Sequence, residues 1–257
     1  MVRKTIILFI AYFLVAFFLF FFMRKREGFT DKEPNQLANK VGPKPVEERK
    51  NIVLLGDSVF FNDPYVKAGN SVCDKLKVKI AKQSIAAKLY CLAENDALMV
   101  DIYQQLDNVN RDSLNNKNTT VFISVGGNDI LNFYKNLSIN QNDNTKTNDT
   151  QANGVDPENM KVLFNAYIKL VDAIIARLPL VKVKLFNIYS PLSKDYLIYN
   201  APIRKWNGLL DAKFHPYSNI TIINNFGFMN QRADFNYDIE PSPIGAEKIA
   251  NAILVNA

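Results

Sequence analysis

Apolar positions fall into two regimes along the chain, divided near residue 50. Residues 5–23 read TIILFIAYFLVAFFLFFFM, 19 positions without a charge. As a helix with a rise of about 1.5 Å per residue they would reach roughly 28 Å, close to the hydrocarbon core of a bilayer. A secretory h-region is shorter and ends at a small-x-small cleavage site, whereas this run ends in Phe-Phe-Phe-Met and then Arg24-Lys25-Arg26. The expectation is an uncleaved N-terminal transmembrane anchor, residues 1–23, with a cleaved signal peptide as the alternative. Residues 24–49 are polar, carry Pro34, Pro43 and Pro45, and show no apolar period, which predicts a flexible linker.

From residue 50 to 257 the pattern alternates between strand and helix signals. Strands are expected at Asn51–Leu55, Val78–Gln83, Thr120–Val125, Val181–Tyr189 and Ile220–Asn224. The clearest helix opens at Asp156-Pro157-Glu158, with an Asp cap, Pro at the first helical position and an acid in the first turn. Its stripe is Met160, Leu163, Tyr167, Leu170, Ile174 and Leu178, at spacings of three and four. A last helix is expected over 243–255, burying Ile244, Ile249, Ile253 and Leu254. Residues 138–154, SINQNDNTKTNDTQANG, have almost no apolar side chain and predict a polar surface insertion. Strands separated by helices imply one α/β domain: a flavodoxin-like three-layer α/β/α sandwich on a five-stranded parallel sheet.

Charge changes the picture once it is located. The formal net charge is +6. Residues 1–50 hold ten Lys/Arg against five Asp/Glu, so most of the excess lies beside the apolar run and the domain is nearly neutral. No case for a nucleic-acid partner follows. The Lys/Arg distribution about the span weakly favours a cytoplasmic domain. Sequons beginning at Asn118, Asn136, Asn148 and Asn219 would suit a lumenal one. The membrane side stays open. Cys73 and Cys91 are too few for a zinc site and imply no metal; they read as two small buried residues, with a disulfide as the alternative. No cofactor is implied.

In an open parallel sheet, ligands sit beyond the carboxyl ends of the strands. Those positions hold Gly56-Asp57-Ser58, Ser84-Ile85-Ala86-Ala87, Gly126-Gly127-Asn128-Asp129, Ser190-Pro191 and the segment from Asp234 to Ser242. A serine, an amide donor and several carboxylates on convergent loops are equipment for acyl transfer.

These blocks, in this order, resemble the SGNH hydrolases, also called GDSL-type esterases, over about residues 50–257. Gly56-Asp57-Ser58 follows an apolar strand, Gly126-Gly127-Asn128-Asp129 has the G-x-N-D pattern, and Asp238-Ile239-Glu240-Pro241-Ser242 precedes an apolar helix. The resemblance implies that Ser58 is the nucleophile. It implies an oxyanion hole of the Ser58 backbone N–H, the Asn128 side chain and a block-two backbone N–H, which falls at Ala86. The family's last block is D-x-x-H, but here Tyr237 and Glu240 stand at its Asp and His positions. The I-E-P-S ending resembles one bacterial branch. The single histidine, His215, precedes the fifth strand and belongs at the opposite sheet edge.

A carboxylate near pKa 4.3 is a poor base for a serine hydroxyl, but burial, with Asp234 and Asp238 nearby, could raise it. Glu240 is therefore either the base of a Ser58–Glu240 dyad or an anchor for the loop before the last helix. Two functions remain in play. One is a membrane-anchored hydrolase of acyl or acetyl esters on a carbohydrate or lipid. The other is a catalytically impaired SGNH-like module that binds a glycan or acyl group.

Overall fold

The computed structural model describes residues 49–141 and 157–257. The predicted anchor and almost all of the linker lie outside the described residues. Among the described residues no helix is long and apolar enough to cross a membrane.

Five parallel strands form the sheet in the order β2-β1-β3-β4-β5: β1 Lys50–Gly56, β2 Ala87–Cys91, β3 Thr119–Ser124, β4 Lys182–Phe186 and β5 Ile220–Ile223. The five-stranded parallel α/β expectation is met. Period-two alternation divides each central strand between two cores. Val53, Leu55, Val121, Ile123, Val183 and Leu185 face one layer of helices. That layer contains α2 Ile102–Asp107, α3 Arg111–Leu114, α4 Gly127–Gln141, α5 Pro157–Arg177 and α6 Asn200–Phe214. Ile52, Leu54, Phe122 and Phe186 face the other core, closed by α1 Val72–Lys82 and α8 Pro243–Asn256. The five-residue stripe of α5 from Met160 through Tyr167, Leu170 and Ile174 to Leu178 is buried as its spacing requires, with Leu163 packed at its margin. Residues 138–141, expected to open the polar insertion, belong to the last turn of α4; most of the remainder lies outside the described residues.

Two sequence expectations are corrected. Val78–Gln83 is not a strand: Val78–Lys82 belong to α1 and Gln83 caps it. The run Lys75-Leu76-Lys77-Val78-Lys79-Ile80 alternates basic and apolar residues and so imitates a strand. Ser71 caps the helix, its hydroxyl accepting from the Asp74 N–H, and Val72, Cys73 and Leu76 form a helical stripe that is buried. In α8, Ile249 and Ile253 are buried but Ile244 is exposed. Gly245 and Ala246 occupy the close contact instead, since a Cβ on Gly245 would lie 2.2 Å from the Asp234 carbonyl oxygen.

Cys73 on α1 and Cys91 on β2 are joined as a disulfide, not left as thiols, with Cα atoms 6.3 Å apart. It ties the edge strand to the helix that covers it.

Candidate active site

Ser58 stands on a tight turn at the carboxyl end of β1. Gly56 makes the turn possible: its φ is +149°, and a Cβ there would meet the Ser124 carbonyl oxygen at 2.1 Å. Asp57 then fixes it from both sides. Its N–H donates to the Ser124 carbonyl at 3.0 Å, its carbonyl accepts from the N–H groups of Phe60 and Phe61, and its Oδ1 accepts from Val59 N–H. Ser58 is held at the crest by backbone it does not itself bond.

Asn128 lies in the first turn of α4, entered through Gly126 at φ +109°, where any Cβ would collide with the Trp206 ring. One hydrogen of its amide goes to the Ala97 carbonyl at 3.2 Å. An amide carries two, so this contact orients the group and leaves one to give. Asp129 ties down the same loop by accepting from Met99 N–H.

Glu240 arrives on a short hairpin, β6 Phe235–Asn236 against β7 Glu240–Pro241. Tyr237 and Asp238 turn it, with φ of 46° and 72°. Asp tolerates the left-handed region, but a bulky residue such as Tyr rarely occupies it without support. Two bonds lock the hairpin against the domain and a third closes its base. Asn62 Nδ2 donates to the Pro241 carbonyl, Tyr189 hydroxyl to the Ile239 carbonyl, and Ser242 N–H to the Asp234 carbonyl. The α8 cap is Ser242, whose Oγ accepts from Ile244 and Gly245 N–H, so Glu240 is free of that duty.

Ser58, Asn128 and Glu240 line one cleft of about 640 Å³, its open mouth included, together with Asp57, Asn187, Tyr189 and Asn225. Ala86 is elsewhere. Its carbonyl accepts from Lys50 N–H where β1 begins, which puts it at the amino edge of the sheet. The error follows from the misread strand: the true β2 ends at Cys91. The carboxyl-edge loop after it is 92–97, pinned by Leu92 N–H to Leu54 carbonyl and Glu94 N–H to Gly56 carbonyl. His215 closes α6 with its side chain 84% exposed, before β5 begins, remote from the cleft.

The electrostatics are those of crowded, half-dry carboxyls. Burial pushes the Glu240 carboxyl above its usual range; the Ser58 hydroxyl beside it lowers it again, and Asp96 adds a raising charge. Glu240 Oε2 is buried with no hydrogen-bond partner. Asp234 and Asp238, expected to raise Glu240, are committed to Lys248 and Arg232 instead. Asp57 is pushed up to about 8, chiefly by burial, with Glu240 and Asp129 adding repulsion. Asp129 rises to about 6, again chiefly by burial. Among the described residues no group of three or more His, Cys, Asp or Glu side chains could hold a metal ion.

The family model of GDSL-like lipases and acylhydrolases matches residues 52–253. The chain belongs to this family. Membership in the GDSL, or SGNH, hydrolases supports hydrolysis of ester bonds in general, the family's substrates being ester-bearing lipids or carbohydrates. No curated protein matches the chain. Solved structures share the fold at low identity. A lipase from a goat rumen metagenome is 17% identical with a TM-score of 0.61, covering 80% of this chain and 96% of its own. A family 3 carbohydrate esterase from Clostridium thermocellum is 18% identical at 0.54, covering 80% and 93%. Phospholipase A1 from Streptomyces albidoflavus is 15% identical at 0.55, covering 81% and 100%.

Proposed function

We propose that this GDSL-family chain is a membrane-anchored serine hydrolase of an acyl or acetyl ester on a lipid or carbohydrate, with Ser58 as nucleophile and Glu240 as base. The observation that carries the reading is the Ser58 hydroxyl beside a buried, partner-poor Glu240 carboxyl in the cleft that also holds Asn128. Ser58 Oγ attacks the ester carbonyl and its proton passes to Glu240. The oxyanion is met by Ser58 N–H and the second Asn128 hydrogen. Glu240 returns the proton to the leaving alkoxide, and water then cleaves the acyl-enzyme by the reverse relay. A raised carboxyl pKa narrows the mismatch between base and hydroxyl, which is what burial does for Glu240.

The apolar run 5–23 supports a single-pass anchor. The Cys73–Cys91 bond favours a domain on the oxidising side of the membrane, against the weak Lys/Arg count. A second reading, a catalytically impaired glycan- or acyl-binding module, is favoured by one observation: no imidazole lies in the cleft.

Covalent labelling by a fluorophosphonate probe, with Ser58→Ala as control, together with turnover of a short acyl ester, separates the two. Labelling and turnover that both vanish in Ser58→Ala support the hydrolase; wild-type turnover no higher than that of Ser58→Ala supports the binding module. For the anchor, carbonate washing should leave the full chain in the membrane pellet, while a chain lacking residues 1–45 should be soluble. Release of the full chain would defeat it.

A further inference from the structure

Asn225 opens the short helix α7, Asn225–Phe228, directly beyond the carboxyl end of β5. It is 1% exposed, yet neither Oδ1 nor Nδ2 of its side chain has a hydrogen-bond partner. Buried amides are almost always paired because an unpaired one loses its water without recompense. Its neighbours obey that rule. Asn187 Oδ1 accepts from Phe226 N–H and its Nδ2 donates to Asn224 Oδ1, which also accepts from Gly227 N–H. Asn225 is the exception among them, and it lines the cleft with Ser58 and Glu240.

The cleft is chemically two-sided. Asn187, Asn225 and Glu240 supply a polar margin, whereas Ile130, Leu131, Ile188, Tyr199 and Ile203 supply an apolar wall. An acetyl group would leave most of that wall uncovered. A longer acyl chain would cover it and bury apolar surface. The other half of such an ester, an alcohol, meets a carboxamide that can donate and accept at once. A hydroxyl is the matching group, since it too donates one hydrogen and accepts through its lone pairs.

We infer that Asn225 is a substrate-recognition residue that holds a free hydroxyl on the alcohol half of the ester, and that the substrate class is an acyl ester of a polyol, its acyl chain on the apolar wall. The inference rests on the ester-hydrolase reading for its chemistry, but the recognition step does not require turnover.

The test compares glyceryl monobutyrate with propyl butyrate, which has the same acyl group and chain length but lacks the free hydroxyls. Wild type should prefer the glyceryl ester in kcat/KM by at least about tenfold, because a site built to bond a hydroxyl rejects the analogue that leaves it unpaired. Asn225→Leu should bring the ratio towards one, with the loss falling on the glyceryl ester. A wild type that treats the two esters alike overturns the inference without any variant, as does a variant that keeps the full preference. The uncleavable pair 1-O-butylglycerol and butyl propyl ether separates recognition from catalysis. If neither ester is cleaved, but the glyceryl ether alone raises Tm and does so only with Asn225 intact, recognition stands and the hydrolase reading fails. If neither ester is cleaved and neither ether is preferred, the inference falls as well.

Discussion

The Gln105 carboxamide closes on both backbone groups of Gly56: its Oε1 accepts from Gly56 N–H and its Nε2 donates to the Gly56 carbonyl, each at 2.8 Å. Gln105 is fully buried on α2. The backbone of β1 faces β2 at this point, but the paired register ends at Leu54 with Cys91. Gly56 therefore lies past the paired register: Glu94 N–H still reaches its carbonyl, but its N–H is met by a side chain, two residues before the nucleophile.

Replacing Gln105 with Leu keeps the volume and removes both bonds. The Gly56 carbonyl retains Glu94 N–H, so the orphan is the Gly56 N–H. One buried unpaired donor costs about 1–3 kcal/mol, and urea unfolding should register a loss in that range. An unchanged midpoint would show that the clamp contributes nothing.

The disulfide between Cys73 and Cys91 closes a loop of 18 residues. By loop-closure entropy a bridge of that span contributes about 3 kcal/mol. Reduction, or the double change Cys73→Ser and Cys91→Ser, should lower Tm by several degrees. Equal Tm with and without reductant would count against a structural bridge.

How much of this could be read from the chain depends on whether local pattern and tertiary role agree. They agree for β1 and β3, whose continuous apolar runs are buried on both faces, for β5, and for the stripe of α5, where one face is buried and the helical period is unambiguous. They agree for Ser58 and Asn128, because strand-end position alone sends both to the carboxyl edge. They disagree in Lys75–Ile80, where Lys75 and Lys79 pair with Glu247 across the contact between α1 and α8, and the alternation of lysine with apolar residues mimics a strand and displaces Ala86 to the wrong edge. Gln105 left no signal, since nothing in its helix marks it as the partner of a glycine 49 positions away. Asn225 was within reach: it follows the fifth strand directly, where the edge rule looks for ligand contacts.

Asp57 makes a separate prediction for pH. Its folded pKa of about 8 lies above the ordinary 3.8, so between those values the folded state holds a proton that the unfolded chain has released. Stability from this group is complete below about pH 4 and declines as pH rises towards 8. Glu240 and Asp129, also raised, act in the same direction. Asp57→Asn keeps an oxygen for Val59 N–H and abolishes the titration. Denaturant midpoints across pH 4–8 should fall more steeply for wild type than for the variant. Parallel curves would mean that Asp57 ionises freely in the fold.

The base assignment meets its sharpest test in Glu240→Gln. The change preserves size and a hydrogen-bonding oxygen beside Ser58 but cannot take a proton, so a dyad should lose most of its kcat with little change in KM. Glu240 must be ionised to act, hence the wild-type rate on a short acyl ester should be low in acid and rise with pH through a carboxyl pKa above the ordinary range. Asn128→Ala should lower kcat by about 10²–10³, the usual cost of one oxyanion donor. His215→Ala should leave the rate near wild type, because that side chain is solvent-exposed at the end of α6, before β5 begins. Glu240→Gln with wild-type kcat would remove the dyad even if Ser58→Ala were inactive, and the proton would then have to leave through Asp57 or solvent. A wild-type enzyme silenced by His215→Ala would require that helix end to reach the cleft, which the described fold does not allow.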